Sequence, residues 1–68
     1  MVTVRVLVES SDSDRMQEVL RDWQTEAPTI HPRAAEEDAV LDYKLPSRDA
    51  AEDLMAIAMR NAARCYIL

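Results

Sequence analysis

Glycine is absent from all 68 residues of the chain. Glycine supplies positive φ at little steric cost, so compact domains use it at tight turns, helix exits and bulges. At an ordinary share of about 7%, roughly five would be present, and chance omission is on the order of one in a hundred. Phenylalanine is missing too, and cysteine and histidine occur once each. The lone Cys65 cannot form an internal disulfide, which argues against a disulfide-framed secreted scaffold. One histidine and one cysteine cannot build a zinc site. The N-terminal apolar run Val2-Thr3-Val4-Arg5-Val6-Leu7-Val8 alternates and carries a charge, so it reads as neither a signal peptide nor a membrane span. The expectation is a soluble chain with no targeting signal, standing on packing alone or on a partner.

Basic and acidic residues number 8 and 13, for a net charge of −5. That excess repels phosphate backbones and argues against nucleic-acid binding. Ordering costs about 1.5 kcal/mol per residue, so roughly 100 kcal/mol must be offset by burial. A chain this short makes one domain, 1–68, near the lower limit for a self-supporting core. No repeat, linker or low-complexity stretch divides it.

Val2, Val4, Val6 and Val8 recur at period two against Thr3, Arg5, Leu7 and Glu9, which predicts a half-buried strand with its valines turned inward. Ser10-Ser11-Asp12-Ser13-Asp14 offers N-caps and early negative charge to a helix. Met16, Val19, Leu20, Trp23 and Ala27 form one apolar stripe, with Trp23 read as a core anchor, and Pro28 stops that helix. Thr29 to Ala35 predicts a second strand, with Ile30, Pro32 and Ala34 inward. Its proline lacks a ladder N–H and assigns it to an edge. Glu36-Glu37-Asp38 is expected to be a solvated turn. Val40 to Leu45 resumes alternation, with Leu41, Tyr43 and Leu45 on one side and Val40, Asp42 and Lys44 on the other. Pro46 ends that strand, and Ser47 caps a helix over Arg48 to Asn61. The broad apolar face of that helix includes Ala51, Leu54, Ala58 and Met59. Asn61, the only asparagine, is expected to make the left-handed exit that glycine usually makes. Arg64 to Leu68 reads as a last strand.

The order βαββαβ, with right-handed crossovers, predicts an α+β two-layer sandwich of ferredoxin-like topology: a four-stranded antiparallel sheet with two helices on one face. Familiar uses of such a scaffold fail at their sites. RNA recognition needs aromatics on the open sheet face, where this chain has Thr3, Arg5, Leu7, Glu9, Val40, Asp42 and Lys44. Soft-metal chelation needs a C-x-x-C loop after the first strand, where Glu9-Ser10-Ser11-Asp12 stands. The serine–aspartate run lacks the glycine and terminal glutamate of a calcium loop. Ser47 reads as a cap before a nucleophile, His31 as a solvated strand histidine, and Cys65 as a small apolar residue. No catalytic residue, cofactor or metal site is therefore expected, nor an enzyme. Outward Leu7, Val40, Tyr66 and Leu68 suggest an apolar patch on the open sheet face, fit for a homodimer.

Two families share the layout. The run Val6-Leu7-Val8-Glu9-Ser10-Ser11-Asp12, then Tyr43-Lys44-Leu45-Pro46 and Ala63-Arg64-Cys65-Tyr66-Ile67, resembles the activation domain of pancreatic procarboxypeptidases. That resemblance implies an inhibitory domain that packs against an enzyme. The size and strand order are also similar to ACT-type regulatory domains, which implies amino-acid binding at strand–helix turns, although the usual aspartate-proline-glycine turn is replaced by Ser10-Ser11-Asp12. Taken with the missing glycine, the layout is that of a computationally designed or redesigned ferredoxin-like domain, a folding scaffold with no natural activity. The inhibitory or ligand-regulatory domain is the alternative.

Overall fold

Backbone pairing turns these local periodicities into one sheet. The computed structural model describes residues 1–23, 27–32 and 38–68. Strand β1 (Val2–Glu9) leads through a 3₁₀ turn (Ser10–Asp12) into helix α1 (Ser13–Leu20), which tightens into a second 3₁₀ turn (Arg21–Trp23). Strands β2 (Thr29–Pro32) and β3 (Asp38–Leu45), helix α2 (Arg48–Arg60) and strand β4 (Arg64–Ile67) follow. All pairs are antiparallel and the order is β2-β3-β1-β4, so the valine strand lies mid-sheet beside β3. This is the ferredoxin-like α+β sandwich.

Register decides which residues meet the helices. Val2, Val4, Val6 and Val8 pair with Leu45, Tyr43, Leu41 and Ala39, and Ile67 and Cys65 stand opposite Val4 and Val6. These residues share the inner face. The core joins them to Met16 and Leu20 of α1 and to Ala51, Leu54 and Ala58 of α2, all fully buried. Alanines at 51 and 58 allow α2 to approach the sheet closely, and Leu54 fills the space between them. Ser47 caps α2 as its sequence position predicts, its Oγ accepting from the Ala50 N–H at 3.2 Å.

Several expectations are corrected. The first helix ends at Leu20 rather than near Ala27, which is exposed. Trp23, in the tightened turn beyond that helix, is 41% exposed and is not a core anchor. The serine–aspartate run makes a 3₁₀ turn, and Asp12 gives α1 no side-chain cap. Its carboxylate instead accepts from Arg15 Nε and Nη2 at 2.6 and 2.7 Å. Asp38 belongs to β3, opposite Glu9, rather than to a turn. The inward placement of Ala34 and the assignment of Glu36 and Glu37 to a turn lie outside the described residues.

The helix exit is also one residue later than predicted. Asn61 is the C-cap, with φ −101°, and Ala62 takes the left-handed conformation at φ 65°. Ala62 N–H donates to Met59 O (3.1 Å) and Ala63 N–H to Ala58 O (3.0 Å), the paired bonds of a Schellman motif. Asn61 uses its side chain instead. Its Nδ2 donates to Ile57 O at 2.9 Å, while Oδ1 accepts from Arg15 Nη1 at 3.2 Å. The two helix ends are tied together there.

Candidate functional site

Antiparallel register sets polar residues in rows across the open face of the sheet. One row runs Thr29, Asp42, Arg5, Tyr66 and the next His31, Val40, Leu7, Arg64. In the first row Arg5 forks onto Asp42, with Nε to Oδ1 and Nη2 to Oδ2 both at 2.9 Å. Such bidentate charge-assisted pairs are among the stronger polar contacts available to a sheet. His31 reaches diagonally from β2, its Nε2 2.9 Å from Asp42 Oδ2. The expected solvated histidine thus has a carboxylate partner, although half of its side chain is exposed.

Asp42 is the hinge of this group. The Arg5 guanidinium holds its carboxyl below the usual carboxylate range; partial burial opposes that effect and His31 adds to it. Arg5 is pushed further above its ordinary value by Asp42 and then by Tyr66, its cross-strand neighbour. A histidine–carboxylate pair is the starting material of base catalysis, in which the base takes a proton from a nucleophile, water or substrate. The Tyr66 phenol of the same row interacts with Arg5, and the described hydrogen bond of His31 is to Asp42. Ser47 caps α2 and Ser13 Oγ accepts from Gln17 at 3.2 Å. Cys65 faces the helices, its Sγ 3.6 Å from Met55 O, and burial pushes the thiol up and away from nucleophilic character. Among the described residues no group of three His, Cys, Asp or Glu side chains gathers to hold a metal. None of their helices is long and apolar enough to cross a membrane.

The open face is less apolar than its sequence suggests. Val40 is only 3% exposed, between Leu7 and His31, and Leu7 is half-buried. Tyr66 and Leu68 remain exposed, at 44% and 59%, and both belong to the β4 side. Met59 of α2 is exposed at 61%. The Cys65–Met55 contact places the Met55 side of α2 beside β4, and Arg48, Glu52, Met55 and Met59 follow one another along that side at helical spacing. Apolar surface therefore flanks the β4 edge from both layers, a concentration that sequence reasoning missed. Alternation marks which residues face outward but not which strand lies at an edge.

A shallow recess of about 280 Å³, lined by Leu7, Val8, Glu9, Ala62 and Arg64, opens where β1 ends and the chain leaves α2. It lies below the usual size of a small-molecule pocket. Comparison of the sequence with family models and with curated proteins finds no match.

Proposed function

We propose that the chain is a non-catalytic contact domain, a ferredoxin-like scaffold that presents a surface to another polypeptide, as the inhibitory and regulatory domains it resembles do. The observation that carries this reading is that exposed Met59, Tyr66 and Leu68 lie together on the β4 side of the sheet, while Ile30, read from sequence as inward, is exposed on the opposite edge strand β2. Apolar side chains gathered in this way mark contact surfaces more often than reaction sites. The polar residues, by comparison, serve the fold: Asp42 joins three strands, Ser47 caps a helix, and Arg15 ties the two helix ends. The test pairs two measurements. Amide chemical shifts followed over rising protein concentration should move in β4 and along the outer side of α2. Addition of the domain to a metallocarboxypeptidase should slow peptide hydrolysis if the partner is an enzyme of that type. A domain whose shifts ignore concentration and which leaves the enzyme untouched is not a contact domain of either kind.

A designed or redesigned folding scaffold is the second reading, and one observation favours it. Glycine is avoided even at Ala62, where the backbone takes φ 65° and glycine would relieve it. A scaffold of that kind stays monomeric at every concentration and unfolds in one cooperative transition. Broad, probe-dependent unfolding would remove it.

A further inference from the structure

We propose that the recess between the end of β1 and the exit from α2 binds a small apolar amino acid as its zwitterion, the carboxylate on Arg64 and the ammonium on Glu9. The proposal goes beyond the contact reading above and uses other residues.

The recess exists because one ladder stops early. Leu7 pairs with Arg64, so the same register would set Glu9 opposite Ala62. Ala62 instead takes φ 65° and gives its N–H to Met59 O at 3.1 Å, and Ala63 gives its own to Ala58 O at 3.0 Å. The backbone bends away toward α2 at that point, and the ladder to β1 ends. Leu68 N–H donates to Thr3 O at 2.9 Å, which fixes the phase of the ladder. Thr3, Arg5, Leu7 and Glu9 therefore direct their backbone groups toward β4. At Glu9 that direction is the recess.

Two opposite charges border it. Glu9 and Arg64 are both exposed and stand diagonally across the ladder. Diagonal neighbours lie about 7–8 Å apart, within reach of long side chains. Yet among the described residues neither side chain makes an ion pair or hydrogen bond, with the other or elsewhere. Arg5 and Asp42 in the next row, by contrast, are paired at 2.9 Å. The space between the two unpaired charges is the recess of about 280 Å³, with Leu7, Val8 and Ala62 as its apolar lining.

Charge selects the ligand. An anion alone meets the Glu9 carboxylate, and a cation alone meets the Arg64 guanidinium. A zwitterion answers both. Arg64 can fork onto its carboxylate, with the Glu9 N–H as a further donor, while the Glu9 carboxylate accepts from its ammonium. The volume lies under the range of about 300–1,000 Å³ for drug-sized ligands, which limits the hydrocarbon to a few carbons. The wall is set before binding. Arg15 donates to Asn61 Oδ1 at 3.2 Å and to Asn61 O at 3.3 Å, holding the turn beside Ala62. A preformed wall lowers the ordering cost of binding.

The experiment titrates the full chain, at fixed protein concentration and ionic strength, and follows backbone amide shifts. The probes are L-leucine, 4-methylpentanoate, which lacks the ammonium, and 3-methylbutylamine, which lacks the carboxylate. The expected result is saturable movement of the Leu7, Glu9, Ala62 and Arg64 amides with leucine, at a Kd of about 1 mM for so small a ligand. Each half-ligand should bind at least about tenfold more weakly, as should leucine to Arg64→Gln or Glu9→Gln. Asp49→Asn, at the far end of α2, should leave the Kd unchanged, and amide dispersion confirms that each variant is folded. Absence of saturable shifts up to about 50 mM leucine overturns the proposal. So does a half-ligand that binds as well as leucine, or a folded Arg64→Gln or Glu9→Gln variant that keeps full affinity. None of these results touches the contact reading, whose tests follow β4 and the outer side of α2 against protein concentration and enzyme inhibition.

Discussion

Among the described residues, Ala62 and Tyr43 have a conformation or a chemistry that the fold leaves unrelieved. A non-glycine residue in the left-handed region costs about 1–2 kcal/mol, part of which glycine gives back through the greater freedom of its unfolded chain. Ala62→Gly should therefore stabilise by about 0.5–1 kcal/mol, read as a higher urea midpoint. Asn61→Gly should destabilise, because Asn61 sits at negative φ and its side chain bonds to Ile57 and Arg15. The opposite ranking would place the left-handed exit at Asn61. Tyr43 is fully buried and its hydroxyl has no partner among the described residues. Leaving a buried donor unmatched is costly, so Tyr43→Phe should be neutral or stabilising by up to about 1 kcal/mol. Burial pushes the phenol up to about 12 from 10.0. A raised folded value favours the neutral form, so this contribution is intact below pH 10 and is lost as pH rises toward 12. The loss should be about 1–2 kcal/mol after allowance for screening, and absent from Tyr43→Phe.

Among the elements, β3 organises the sheet through Asp42. Arg5 lies 37 residues away on β1 and His31 lies 11 away on β2, yet both bond to its carboxylate. Because the folded carboxyl is held below its ordinary value, its contribution is present above about pH 4 and disappears as pH falls through the folded value. Asp42→Asn should lower stability at pH 7 and flatten the decline between about pH 5 and pH 2 in a series of thermal melts. His31→Ala should leave most of that acid limb in place, since Arg5 is the larger cause. An acid limb abolished by His31→Ala instead would reverse that order.

The whole molecule has a Cα radius of gyration of 10.9 Å, matching the roughly 11 Å expected of a compact chain of this length. So small a domain has little stability in reserve, and its core is sensitive to cavities. Leu54 is fully buried between the close-packed alanines of α2, whereas Trp23 is 41% exposed. Leu54→Ala should cost about 2–5 kcal/mol, enough to leave the fold marginal, and Trp23→Ala distinctly less. Chemical denaturation followed by far-ultraviolet circular dichroism ranks them. A larger loss from Trp23→Ala would restore the tryptophan to the core.

Period-two valines in β1, the 3.6-residue stripe of Met16, Val19 and Leu20, and the proline and serine before α2 were enough to assign strand, helix, cap and the ferredoxin-like order. Each is a local consequence of backbone geometry, which repeats every two residues in a strand and every 3.6 in a helix. The candidate site was less legible. Tyr66 and Leu68 could be placed on the outward face, but the same reading put Val40 beside them on an apolar patch and put Met59 on the buried face of α2.

Patterning along the chain by itself determined which residues form each element and which face of it is apolar. Tertiary structure alone decided that Asp42 joins Arg5 to His31, that Ala62 rather than Asn61 turns the chain, and that Met59, Tyr66 and Leu68 lie together on the β4 side. Those outcomes depend on register and on where each element stops. Register and stopping points are set by contacts between segments far apart in sequence, and no local period encodes them.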